Sequence, residues 1–221
     1  MGAIITNGLV GCWDAASKRS YPGSGSTWKD ISGEGNDATV NSAPVFVNQN
    51  GGYLNFDGTD DYFTYDLYSG FDNAWIQSID ISIEVWVRIK SNSNCCGGYW
   101  AFGTAQFEMA LSSNSPKTSA VYTVTGGWGE ESGTTNLDYW YCYTVTHAAG
   151  TTFKLYVDGA LDSSHTLAGN TQFTSGTGSF GTNNNGSYLE GDIAVVRMYD
   201  RVLTASEIRE NYVAQRGRFT I

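Results

Sequence analysis

The sequence is short of charge, of proline and of long apolar runs, and each shortage excludes something. Charged residues make up 15% of the chain, against roughly 25% in an average soluble domain. Lys and Arg number 12 against 22 Asp and Glu, a net charge of −10. Affinity for phosphate backbones comes from clustered Lys and Arg; without such a cluster, nucleic acid is excluded as a partner. No run approaches the roughly 18 apolar residues of a membrane span, which excludes a membrane partner of that kind. Three prolines and a few short helical patterns leave little room for an α-rich fold. The four cysteines, Cys12, Cys95, Cys96 and Cys142, have no C-x-x-C spacing and give no zinc site. Buried free thiols are expected in preference to disulfides, because adjacent cysteines strain a bridge and Cys142 suits a strand interior. The opening "MGAIITNGLVGCWDAA" lacks a basic start, and Thr6, Asn7 and Gly8 interrupt its apolar run. It does not read as a signal peptide, so export by an N-terminal signal is not expected.

What is abundant is turn and strand chemistry. Glycine reaches 27 residues, and Thr, Ser, Asn and Tyr are plentiful, a composition of strands and turns. In "ISIEVWVRIK", Ile81, Ile83, Val85, Val87 and Ile89 alternate with Ser82, Glu84, Trp86, Arg88 and Lys90. That predicts a strand with one dry face and one wet face. "TTFKLYVDGALDSSHTL" predicts a hairpin turning at Asp158–Gly159, and "YWYCYTVTH" pairs with it through "AAGT". "AQFEMALSS" and "SAVYTVTGG" form another pair. "GDIAVVRMYDRVL" is a strand, and "TASEIRENYVAQ" is a helix capped by Thr204 with Glu207 as reciprocal partner, anchored by Leu203, Ile208 and Tyr212. Short strands between Gly, Asn and Ser turns predict a sandwich or barrel. With no linker, repeat or composition break, a single domain over 1–221 is expected, its core about 9–219.

Seven segments, "LVGCWDAA", "WKDISGEGNDATV", "YLNFDGTDDYF", "ISIEVWVRI", "WYCYTVTH", "FKLYVDGAL" and "GDIAVVRMYDRVLTASEIRENY", occur in the order seen in laminin-G-like jelly rolls. The chain thus resembles the concanavalin A-like lectin and glucanase superfamily, from about Leu9 to Phe219. The resemblance implies an all-β, two-sheet antiparallel jelly-roll β-sandwich with a short C-terminal helix, its first and last strands side by side. More narrowly, "GLVGCWDAASKRSYPGSGSTWKDISGEGN" and "ENYVAQRGRF" resemble short virion proteins of tailed bacteriophages, which implies a head decoration or tail-fibre role.

Glucanases of that superfamily carry E-x-D-x-x-E on one strand, so that acid and nucleophile stand about 5–5.5 Å apart. No such motif occurs here. Glu84 has no carboxylate neighbour on its strand, and Glu130 and Glu131 are expected in a Gly-rich loop. The chain is therefore expected not to be an enzyme. "WKDISGEGNDA" resembles the start of a calcium loop, yet the twelfth position from Asp30 is Asn41, not the bidentate Glu of an EF-hand. The alternatives are an Asx-turn built on Asp30 and a different Ca²⁺ site using Asp30 and Asp192; "DGTDDY" offers the same choice of turn or calcium. No cofactor is required, with Ca²⁺ as an option. Glycan recognition needs aromatic faces and polar groups that fix hydroxyls. Trp128, whose flanking glycines give no strand to bury it in, Trp86 on the wet face, and Tyr99 and Trp100 in a loop after "NCCGG" are the carbohydrate-binding candidates, against the reading that most of the 31 Phe, Trp and Tyr residues fill the sandwich.

The combined expectation is a virion surface protein that binds host or surface glycans. It would assemble in the host cytoplasm and repeat as symmetric copies, or a homo-oligomer, among other virion proteins. Arg216 and Arg218 would be the attachment residues, and removal of "GRFTI" would spare the fold. A cellular lectin module and a glucanase-like enzyme are the alternatives.

Overall fold

The computed structural model describes residues 3–42, 44–66, 70–71, 74, 76–91, 98–102, 107–111, 118–123, 127–150, 152–166, 177–183 and 186–219. Among these, alternating sequence gives strands in the order β1 (Leu9–Asp14), β2 (Thr27–Trp28), β3 (Ala38–Ser42), β4 (Val45–Val47), β5 (Tyr53–Asp57), β6 (Tyr62–Asp66), β7 (Ile81–Ile89) and β8 (Gly98–Phe102). They continue as β9 (Phe107–Leu111), β10 (Thr118–Thr123), β11 (Gly127–Thr134), β12 (Trp140–His147), β13 (Thr152–Val157), β14 (Ala160–Thr166), β15 (Thr177–Phe180) and β16 (Glu190–Tyr199). Helix α1 (Ala205–Gln215) follows. One sheet runs β14-β13-β12-β7-β16-β5-β4, with β1 also paired to β16. The other runs β11-β10-β9-β8-β15-β6-β3-β2. The chain is an all-β sandwich of two antiparallel sheets with one short C-terminal helix, in the manner of a jelly roll, and its first and last long strands do pair.

Between the sheets lies a continuous apolar core that includes Trp13, Trp28, Phe63, Val85, Phe107 and Phe180. The second sheet contributes its aromatics at close quarters, as where Tyr65 stacks on Phe180 at 4.5 Å. A Cβ at residue 178 would stand 2.1 Å from that Tyr65 ring, so the approach requires glycine there. The Asp158–Gly159 turn has φ of 51° and 76°, the pair of positive values a tight two-residue hairpin needs.

The wet face expected of β7 does not exist. All but one of its residues are buried, because the outer face of the first sheet is roofed by α1 and the turn after it. Ser82 Oγ donates to the Arg201 carbonyl at 2.8 Å and accepts from the Leu203 amide. Glu84 is ion-paired to Arg197, both fully buried. Trp86 lies under Tyr212 and Phe219, with ring centroids 5.6 and 4.3 Å away. Alternation reports which face is apolar; it does not report that the polar face carries its partners inside.

Helix α1 begins as its sequence demands. Thr204 Oγ1 accepts from the Glu207 amide at 3.3 Å, and Glu207 accepts from the Thr204 amide at 2.8 Å, a complete capping box. Leu203, Ile208 and Tyr212 are buried against the sheet. After the helix, Arg218 Nη1 reaches Asp14 at 3.0 Å and Gln215 at 2.8 Å, while its other nitrogens donate to the carbonyls of Asn50 and Gly52. Arg218 is therefore a clamp within the chain and not an attachment residue, whereas Arg216 is exposed. The expectation that "GRFTI" can be removed without harm is also corrected, since Phe219 is 2% exposed and covers Trp86 and Trp140. Replacing a buried Phe by Ala costs about 3–5 kcal/mol. Phe219→Ala is expected to lower the unfolding free energy by about that amount in urea titrations; a loss below about 1 kcal/mol would contradict this packing.

Candidate functional site

The outer face of the second sheet assembles a polar row from distant parts of the chain. Its members are in register across five strands: Thr39 opposite Thr64, Thr64 opposite Ser179, Ser179 opposite Ala101, and Ala101 opposite Glu108. Residues directly opposite each other share a face, and the intervening Phe63, Phe180, Phe107 and Met109 belong to the core. The backbone register continues through Tyr122 to Trp128. Threonine, serine and alanine are short, so the floor of this face is low.

At one end the face opens into a cleft of about 190 Å³ bordered by Asp37, Thr39, Thr64, Asp66 and Thr177. Asn41 braces it by donating to Thr64 Oγ1 at 2.8 Å. Lys29 meets Asp37 across 3.3 Å of exposed surface. Hydroxyls and carboxylates thus line the opening.

Farther along the row, Glu108 is 1% exposed, and its Oε2 is sealed without a hydrogen-bond partner among the described residues. Burial pushes its carboxyl up to about 8, so it is a neutral acid at pH 7 and can donate a hydrogen bond. Sequence reasoning missed this residue. The signal was present in "FEMA", where Phe107 and Met109 face the core and leave Glu108 on the opposite side.

The aromatic residues singled out from sequence are placed differently from expectation. Trp86 is buried beneath α1. Tyr99 and Trp100 belong to β8, not a loop, and both are wholly buried. Tyr99 stacks on Tyr143 at 6.0 Å, and Trp100 meets Phe107 edge-on at 5.1 Å. Trp128 also lies in a strand, β11, as do Glu130 and Glu131; its side chain is outside the described residues.

The carboxylates expected near calcium are committed to the chain's own groups. Asp30 accepts from the amides of Cys12, Ser32 and Asn36 at 2.8, 2.8 and 3.1 Å, and from Ser32 Oγ at 2.7 Å. This is the Asx-turn arrangement, with Gly33 and Gly35 at positive φ. Asp192 is fully buried and receives Arg88 at 2.6 Å, Lys90 at 2.9 Å and Asn55 at 2.9 Å. Cys12, which Asp30 holds, is opposite Arg197, five positions along β16 from Asp192. At about 3.3 Å per residue that is roughly 16 Å, too far for one ion. Asp57, Asp60 and Asp61 do bring carboxylate oxygens within 4.8 Å of one another. They also cap their own turn, Asp61 accepting from the Asp57 amide and Asp57 from the Thr59 amide. Cys12 and Cys142 are free, buried thiols, and burial raises both.

The comparisons with known proteins agree with this architecture. The model of the concanavalin A-like lectin/glucanases superfamily, laminin-G type, matches residues 57–209. No curated protein matches the chain. Among solved structures, Trypanosoma rangeli sialidase in complex with the inhibitor DANA is similar at a TM-score of 0.73 and 19% identity, covering 99% of this chain and 34% of the sialidase. The binding domain of Paraclostridial Mosquitocidal Protein 1 is similar at 0.71 and 14% identity, covering 95% of this chain and 52% of that one. This chain therefore spans about a third to a half of the structures it resembles. The expectation of a non-enzymatic chain is corrected by the same finding. The T. rangeli sialidase has also been seen as a covalent intermediate with 2,3-difluorosialic acid, so a glycosidase is among the proteins that contain this fold. With the two-sheet architecture and the family match together, the chain belongs to the concanavalin A-like lectin/glucanase superfamily.

Proposed function

We propose that this chain is a carbohydrate-binding domain that meets glycan hydroxyls on the outer face of its second sheet. The observation that carries the reading is the open cleft edged by Asp37, Thr39, Thr64, Asp66 and Thr177. Its polar groups can hydrogen-bond a polyol while the low floor admits a ring. Membership of a superfamily named for lectins and glucanases supports the same substrate class, as does the likeness to a sialidase bound to sialic acid. Glu108 is read here as a protonated hydrogen-bond donor beneath the face.

The finer part of the proposal is the setting: a bacteriophage virion surface, head or tail fibre, where repeated copies would contact host glycans. Its support is the resemblance of the opening and closing segments to short phage virion proteins. Of the two arginines considered for attachment, exposed Arg216 is retained. Immunogold labelling of purified particles tests the setting; gold on heads or fibre ends is expected, and labelled cell walls without labelled particles would replace it with a cellular lectin.

A glycan-array screen of the purified chain tests the binding role directly. Binding to a defined set of oligosaccharides is expected. Asp66→Asn with Thr177→Ala should weaken it about tenfold, the ~1.4 kcal/mol of one good polar contact. Unchanged affinity in that variant would contradict this location.

The state of Glu108 has its own signature. The folded chain keeps a proton that the unfolded chain loses between its ordinary value of 4.5 and about 8. Stability therefore falls as pH rises through that window, by roughly 3 kcal/mol at pH 7. Glu108→Gln should flatten this decline in urea titrations from pH 5 to 8. A decline of the same slope in the variant would show that Glu108 is not the group responsible.

A further inference from the structure

A second cavity lies on the opposite side of the sandwich, in the wedge between the start of α1 and strands β12 and β13. It encloses about 330 Å³ and is bordered by Thr146, Thr152, Lys154, Tyr156, Leu203 and Ala205, among others. That size is at the low end of ligand pockets, about 300–1,000 Å³. Two of its polar side chains are almost wholly buried, Thr146 at 3% and Tyr156 at 6% exposed. Neither hydroxyl has a partner among the described residues. Both residues border the cavity, so their hydroxyls are free to meet the polar groups of a molecule that enters it.

Charge defines what that is. Lys154 has no ion pair among the described residues in a chain of net charge −10. Among the described residues no acidic residue borders the cavity, and Glu207, two residues beyond Ala205, is held by Arg201 at 2.7 Å and capped onto Thr204. Ala205 is the first residue of an 11-residue helix, where the amide has no intrahelical acceptor and the helix dipole favours an anion. Thr204 is not available, because its hydroxyl is occupied with Glu207.

The geometry points to a binding site for a monosaccharide-sized sugar acid. Its single carboxylate would lie between Lys154 and the Ala205 amide, and its hydroxyls would meet Thr146, Thr152 and Tyr156. One cation matches one carboxylate, and the chain's net charge of −10 disfavours a dianion such as phosphate. This site is independent of the face on the second sheet; either can be lost without the other.

The test is an NMR titration of the full-length, isotopically labelled chain with sodium glucuronate, with glucose and acetate as controls. Saturable shifts of the Thr152, Lys154 and Ala205 amides at millimolar glucuronate are expected, with little response to glucose. Acetate should bind about tenfold more weakly, lacking the hydroxyls. Lys154→Gln, a surface change, should weaken glucuronate about tenfold with the remaining spectrum unmoved. Thr146→Val should weaken it a few-fold. Glucose binding equal to glucuronate, acetate binding equally well, an unaffected Lys154→Gln variant, or no saturable shift would each overturn the assignment.

Discussion

Strands β7 and β16 are buried on both faces, and a charge pair, Glu84–Arg197, is sealed between them and the roof above. The other elements are arranged around that constraint. A buried guanidinium is strongly penalised unless it is paired; burial alone would lower the hold of Arg197 on its proton, and the Glu84 charge more than reverses this. The pair forces a cover over the outer face of the first sheet. The chain beyond β16 builds that cover from the Ser82-bound turn, α1, and Phe219 pressed on Trp86. The N-terminal strand enters the same structure because β1 zips to the far half of β16, and Arg218 then ties the end of the chain to Asp14.

One consequence is a division of labour between the sheets. The first sheet commits its outer face to internal contacts, and the cavity beside α1 is the part its roof leaves uncovered. Among the described residues the second sheet carries no comparable roof over its β3, β6 and β15 end, where Thr39, Thr64, Asp66 and Thr177 border a cleft. Among the described residues no ion pair or cap consumes Thr39, Asp66 or Thr177, whereas Asp37 is paired to Lys29 and Thr64 accepts from Asn41. Asp30 and Asp192 show the opposite condition, each carboxylate saturated by amides or cations of its own chain.

Much of this fold was legible in the sequence. The alternation of β7, the Asp158–Gly159 turn, the pairing of "YWYCYTVTH" with "FKLYV", and the Thr204–Glu207 cap are local patterns, and local patterns carry over into structure. The site was less legible, for a physical reason in each case. Trp86 looked exposed because periodicity assigns a face without saying what lies over it. Tyr99 and Trp100 looked like loop residues beside glycines, although Gly98 is itself part of a strand. Arg218 looked like a free surface charge because its partners, Asp14, Asn50 and Gly52, are more than 160 residues away. Glu108 was readable from its alternation, but its burial depends on long-range packing that no local pattern reveals.

Glycan binding on the outer face of the second sheet is the central claim. Co-crystallisation with an oligosaccharide taken from the array tests it most directly. The predicted result is a sugar ring over Thr39 and Thr64 with hydroxyls on Asp66 and Thr177. Ligand found on the first sheet's side, with the second sheet's face untouched, would contradict it.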